Sequence, residues 1–172
     1  MPNTKRIEST DTIVLPASAA DPRFRAFFAY WQSVAPVGRL PGRQHIDPLT
    51  IPREVLPNIA LYDIVPAETD FRVRVRLLGT AVVELIGVDH TGLFIDETMP
   101  ADAYRPLHES FRLVAQGQPQ YWQRTLPYPN RNFTGIKRLA LPLATDGHDV
   151  DMTINCYLPV LQALGTDSET GF

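Results

Sequence analysis

Few residues in this chain could do chemistry, and most of them are arginines and acids. In FRVRVRLLGT, residues 71 to 80, Arg72, Arg74 and Arg76 alternate with apolar side chains before the row stops at Gly79 and Thr80. Alternate residues share one face of a strand. Their planar, charged forks suit carboxylates and other anions. Arg72 and Arg74 are expected to lie in water or pair with acids on a neighbouring strand. Arg76 stands next to the turn, where it could reach a carboxylate such as Asp89 or an anionic ligand. Asp89, Asp96, Glu97 and Asp102 fall in a loop-rich stretch and are read as turn and helix caps rather than as a general acid and base. The chain contains no nucleophile elbow, phosphate-binding loop, dinucleotide fingerprint, zinc-protease helix or paired-cysteine motif.

The totals narrow the partners. Sixteen basic residues stand against nineteen acidic ones, and the pI is near 5.8. No overall field draws such a chain onto nucleic acid or an anionic membrane, and neither is an expected partner. One cysteine, Cys156, excludes an internal disulfide and suits a reducing cytosol. The first twenty residues lack a continuous apolar segment, and no later run is long enough to span a bilayer, so a cytoplasmic location is expected.

Residues 1–20 show no period and read as a loose arm. DPRFRAFFAYWQSVA then opens on an aspartate cap and a proline, with Phe24, Phe27, Phe28, Trp31 and Val34 on one stripe, which predicts a helix from Asp21 to Val34. A stripe of this size must be covered. The expectation is a homodimer organised through Phe24, Phe27, Phe28 and Trp31, with docking of the helix on its own chain as the alternative. NIALYDIV and the arginine strand form an antiparallel pair, with Phe71, Val73, Val75 and Leu77 on one side. TAVVELIG reads as a short helix capped near Thr80, and AYRPLHESFRLVAQGQ as a helix with Tyr104, Leu107, Phe111 and Val114 on one stripe. PQYWQRTLPYP, GIKRLALPLAT and DVDMTINCYLP are strands, the last two joined at Asp146-Gly147, a hairpin signal. The fold class is α+β: a five-stranded antiparallel sheet with helices on one face and an extra N-terminal helix. Residues 21–44 form that helix and a linker, 45–160 the domain and 161–172 a polar tail.

RLLGTAVVELIGVDHTG, Arg76 to Gly92, with HIDPLTIPREVLPNIALYDIV before it, resembles the PAS superfamily. It is most similar to small stand-alone bacterial PAS-like proteins marked by R-L-x-G-T and then G-x-D-x-T-G. The resemblance implies a sheet in the order 2-1-5-4-3, a ligand cavity against its concave face, and sensory or regulatory work. Haem-binding sensors of this superfamily carry their iron ligand on the helix where His108 falls. Flavin photosensors use a reactive cysteine on a helix, whereas Cys156 is in the last strand. No flavin or haem, and no other cofactor, is expected, and haem on His108 is the weaker alternative.

The function expected is a non-catalytic module that binds a small organic ligand and signals through a dimer or a separate protein. The ligand-site residues expected are Arg76, Thr80, His90, Trp122, Tyr128, Asn155 and Tyr157, which combine ring faces with polar tips. A docking module without a ligand is the competing reading. A small cone-shaped enzyme or carrier fold is a third, disfavoured by the order of helices and strands.

Overall fold

The computed structural model describes residues 10, 13–125 and 133–161. Helix α1 (Pro22–Ser33) starts where the sequence supplies both a cap and a fixed φ. The Asp21 carboxylate accepts the backbone N–H of Arg23 at 2.9 Å, and Pro22 fills a position whose missing N–H costs nothing. Strand β1 (Ile59–Pro66) and strand β2 (Phe71–Leu78) form an antiparallel hairpin, closed by Ala67 N–H donating to the Asp70 carbonyl at 2.8 Å. Helix α2 (Thr80–Ile86), helix α3 (Ala101–Ala115), and strands β3 (Gln120–Thr125), β4 (Phe133–Leu143) and β5 (Met152–Leu161) follow. The sheet runs β2-β1-β5-β4-β3 with every neighbouring pair antiparallel, the order expected.

The Asp146-Gly147 pair does join β4 to β5, but in a loop longer than a two-residue turn. The ladder ends at Leu143 opposite Met152. Between them the Asp146 carboxylate accepts the N–H groups of His148 and Asp149, each at 2.8 Å, while Gly147 takes φ 84°. Helix α2 is capped beside Thr80, by Gly79, with Thr80 the exposed first residue of the helix. Gly79 N–H donates to the Ile59 carbonyl at 2.7 Å, and a side chain there would collide with the Pro57 carbonyl.

One irregularity redirects the arginine strand. Leu77 pairs with Leu61 and Val75 with Tyr62, which leaves Arg76 as the extra residue of a β-bulge. The alternation slips by one beyond that point. Phe71, Val73 and Val75 face the helices as expected, but Leu77 is turned outward and Leu78 takes the inner position.

The two faces of the sheet carry separate cores. On the outer face α1 packs Phe24, Phe27, Phe28, Tyr30 and Trp31 against Leu61, Leu139, Leu141, Ile154, Cys156 and Leu158. Trp31 Nε1 donates to the Pro142 carbonyl at 2.9 Å. The aromatic stripe is therefore covered by the chain's own sheet, which corrects the expectation of a dimer held by Phe24, Phe27, Phe28 and Trp31: these four side chains are buried in the fold itself. On the inner face α2 and α3 pack Val82, Leu85, Leu107 and Phe111 over Ala60, Tyr62, Val73, Val75, Ile136 and Tyr157. No helix among the described residues is long and apolar enough to cross a membrane.

Candidate functional site

The inner layer is not filled. Between the sheet, α2, α3 and the connection joining them lies a cavity of about 430 Å³, within the range of about 300–1,000 Å³ usual for small-molecule sites. Tyr62, Val75, Leu78, Trp122, Arg124, Ile136 and Tyr157 line it from the sheet; Leu85 and Ile86 from α2; His90, Ile95, Thr98 and Met99 from the connection; Ala103 and Leu107 from α3. The walls are apolar apart from a few tips, and no aspartate or glutamate is among their described residues. Thr98 has its hydroxyl committed to the Ile95 carbonyl at 2.8 Å.

The polar part of this layer lies across three strands. Trp122 on β3 is in register with Arg138 on β4, and Arg138 with Tyr157 on β5, so one row of the sheet reads Trp-Arg-Tyr on its inner face. The Arg138 side chain has no exposed surface. Its Nε donates to Asn155 Oδ1 at 2.7 Å and its Nη1 to Ser110 Oγ on α3 at 2.8 Å. Asn155 in turn donates to Thr153 Oγ1 at 2.8 Å. The guanidinium carbon stands 4.5 Å from the Phe111 ring centroid and 5.7 Å from that of Trp122. Beside it the Tyr62 and Tyr157 hydroxyls are 2.9 Å apart and hydrogen-bonded.

Among the described residues no carboxylate is within ion-pair range of Arg138. Among the described residues its Nη2 has no hydrogen-bond partner, and neither has the buried indole nitrogen of Trp122. Burial pushes the guanidinium below its ordinary pKa, against the opposing influence of the Tyr157 and Tyr62 oxygens. Burial raises Tyr62 well above the usual phenol value, and its neighbour Tyr157 raises it further. Tyr62 thus stays neutral and supplies no counter-charge. Taking a cation out of water costs on the order of several kcal/mol. Two charge-assisted hydrogen bonds, at about 1.5–3 kcal/mol each, and a ring face, worth up to about 2 kcal/mol, offset that cost without neutralising the charge. Arg124 adds a second cation at the cavity wall, with its guanidinium carbon 4.8 Å from the Trp122 centroid.

The structure sorts the residues expected from sequence into three groups. His90, Trp122 and Tyr157 line the cavity, and Asn155 lies behind the wall, where it holds Arg138. Arg76 and Thr80 are outside. Bulged out of the ladder, Arg76 approaches Asp63 at 3.7 Å on the outer face and does not meet Asp89, whose carboxylate caps Thr91 at 2.9 Å. Tyr128 lies outside the described residues. Arg72 and Arg74 pair with acids as expected, Arg72 with Asp96 at 2.7 Å and Arg74 with Asp63 at 2.9 Å. His108 is not part of the lining. Its ring stacks on Phe71 at 4.4 Å and its Nε2 lies 3.1 Å from the Phe71 carbonyl, an arrangement that gives haem ligation on His108 no support. Sequence reasoning missed Arg138, Ser110, Tyr62 and Arg124. The leucines of GIKRLALPL do place Arg138 on the opposite face from Leu139 and Leu141, but that pattern says nothing of what lies over it.

A family model described as a PAS domain matches residues 20–158. A solved structure, the PAS domain from Bordetella pertussis BvgS, is similar at 22% identity, covering 62% of this chain and 79% of that one with a TM-score of 0.47. No curated protein matches.

Proposed function

The chain belongs to the PAS domain family, and from that premise we propose that it is a non-catalytic sensory or regulatory module that binds a small organic molecule in the inner cavity and passes its occupancy to a partner. The cavity itself carries this reading. A largely apolar space of about 430 Å³ with a few polar tips fits a ligand better than a docking module, whose inner layer would be closed by side chains. A binding role is also favoured over catalysis by the lining, in which no nucleophile stands beside an orienting base among the described residues. Half of the enclosure is α2, α3 and their connection, so a ligand held there touches both the sheet and the helices that cover it. Any second-copy contact must use a surface other than the aromatic stripe of α1.

Native mass spectrometry of freshly purified protein tests the reading. The expected result is a species heavier than the 19.3 kDa chain by the mass of a small molecule. A bare chain in every preparation, together with an unchanged melting temperature across small carboxylates, alcohols and amides, would return the protein to the docking class. Sedimentation equilibrium decides between the routes of output. A mass near twice that of the chain supports signalling through a dimer, and a monomer assigns it to a separate protein.

A further inference from the structure

We propose that the ligand of this cavity is an anion, a monocarboxylate on an apolar body, and that Arg138 is its counter-charge; this rests on the cavity being a ligand site. Three observations converge on it. Arg138 is a fully buried cation with no carboxylate in range among the described residues, and it is held instead by the neutral groups of Asn155 and Ser110. Its Nη2 donor and the Trp122 Nε1 donor are both unsatisfied among the described residues, in side chains directly opposite each other in the sheet. Among the described residues the cavity walls contain a further cation, Arg124, and no acid, while the rest of the lining is mainly aliphatic and aromatic.

Buried donors are rarely left without acceptors, and a guanidinium fork is the group best shaped to take a carboxylate. Here two donor nitrogens on neighbouring strands lack an acceptor among the described residues. Trp122 lines the cavity beside Arg138, and no hydrogen bond restrains its ring among the described residues. A turn of the indole admits a carboxylate to Nη2 at no polar cost, and the apolar body of the ligand then lies along Leu78, Leu85 and Leu107. Asn155 and Ser110 orient Arg138 and do not themselves touch the ligand. A neutral ligand of the same shape leaves both donors unpaired, so the site discriminates by charge.

Decanoate and decanamide, nearly equal in size and shape but different in charge, are the probes. Binding is measured by titration calorimetry at neutral pH to wild type and to Arg138→Met, which keeps the length of the side chain and removes its charge. Wild type is expected to bind decanoate at least tenfold more tightly than decanamide, and Arg138→Met to bind the two about equally. Equal binding of both probes to wild type overturns the anion site and leaves the cavity a ligand site. Failure of both probes to bind overturns the anion site and counts against the cavity reading as well. A preference that survives in Arg138→Met removes Arg138 from the site. Should Arg138→Met fail to fold, Arg138→Lys keeps the charge but loses the fork. It is then expected to reduce the decanoate preference severalfold without changing decanamide affinity, and an unchanged preference overturns the assignment.

Discussion

On its outer face the sheet meets α1 through Phe24, Phe27 and Trp31, none of which has exposed surface; on its inner face it meets α2 and α3 across a cavity and keeps an unneutralised guanidinium. The same strands build both faces. β5 sends Ile154, Cys156 and Leu158 outward and Thr153, Asn155 and Tyr157 inward. The outer layer is closed by large side chains in van der Waals contact, an arrangement that favours stability alone. Space and unpaired donors are retained in the inner layer, which costs stability and makes sense where something else is to be bound. A rigid outer layer can hold Trp122, Arg138 and Tyr157 in one row while the inner layer changes its contents.

The largest expected effect tests that contrast with one chemical change on either side of the sheet. Leu141→Ala removes a fully buried side chain from the outer core and is expected to cost about 4–5 kcal/mol in urea unfolding. Leu107→Ala, already bordering open space, is expected near the low end, about 2 kcal/mol. Equal costs would mean that the inner layer is as tightly packed as the outer one, and the contrast would fail.

A smaller effect separates α1 from the ligand site. Asp21→Ala removes the cap and is expected to destabilise the protein by about 1 kcal/mol while leaving ligand affinity unchanged. The same carboxyl supplies a pH signature. Its hydrogen bond with Arg23 holds it below the ordinary value of 3.8. The folded chain thus takes up this proton less readily than the unfolded one, and the stability gained is present above about pH 4 and lost as pH falls through the folded value. Melting temperatures from pH 5 down to 2 should fall less steeply in Asp21→Asn, which retains a capping side chain, than in wild type. Identical slopes would remove Asp21 from the acid transition.

The smallest expected effect is no reaction at all. Cys156 lies in the closed layer, and burial pushes its thiol up to about 12. A thiol-reactive disulfide dye should modify it at pH 8 only at the rate of unfolding. Rapid labelling of the native protein would show that the outer core opens on its own.

Much of this contrast is already written in the alternation of side chains. The parity of DVDMTINCYLP separates Ile154, Cys156 and Leu158 from Asn155 and Tyr157, and the stripe of α1 follows from helical spacing, because both periods are local properties of the backbone. Parity misled only where the backbone broke step. The bulge at Arg76 turned Leu77 outward and moved Leu78 into the cavity wall, and no feature of FRVRVRLLGT marks the extra residue. Arg138 was equally invisible, for a different reason. On the strand it is one polar residue among apolar ones, and only the register of β3, β4 and β5 puts it between Trp122 and Tyr157.

What the sequence determined by itself was thus the identity and facing of the elements, because a cap, a φ-fixing proline or a period of 2 or 3.6 acts over a few residues. What only the tertiary structure decided was which surface covers which. The α1 stripe carries the same burial energy whether it meets a second chain or its own sheet, and the folded chain supplies Leu139, Leu141 and Ile154 to meet it. The charge of Arg138 is the same in water and in the core, and it becomes a candidate site because the register of β3, β4 and β5, together with Ser110 of α3, buries it and leaves two donors without an acceptor among the described residues.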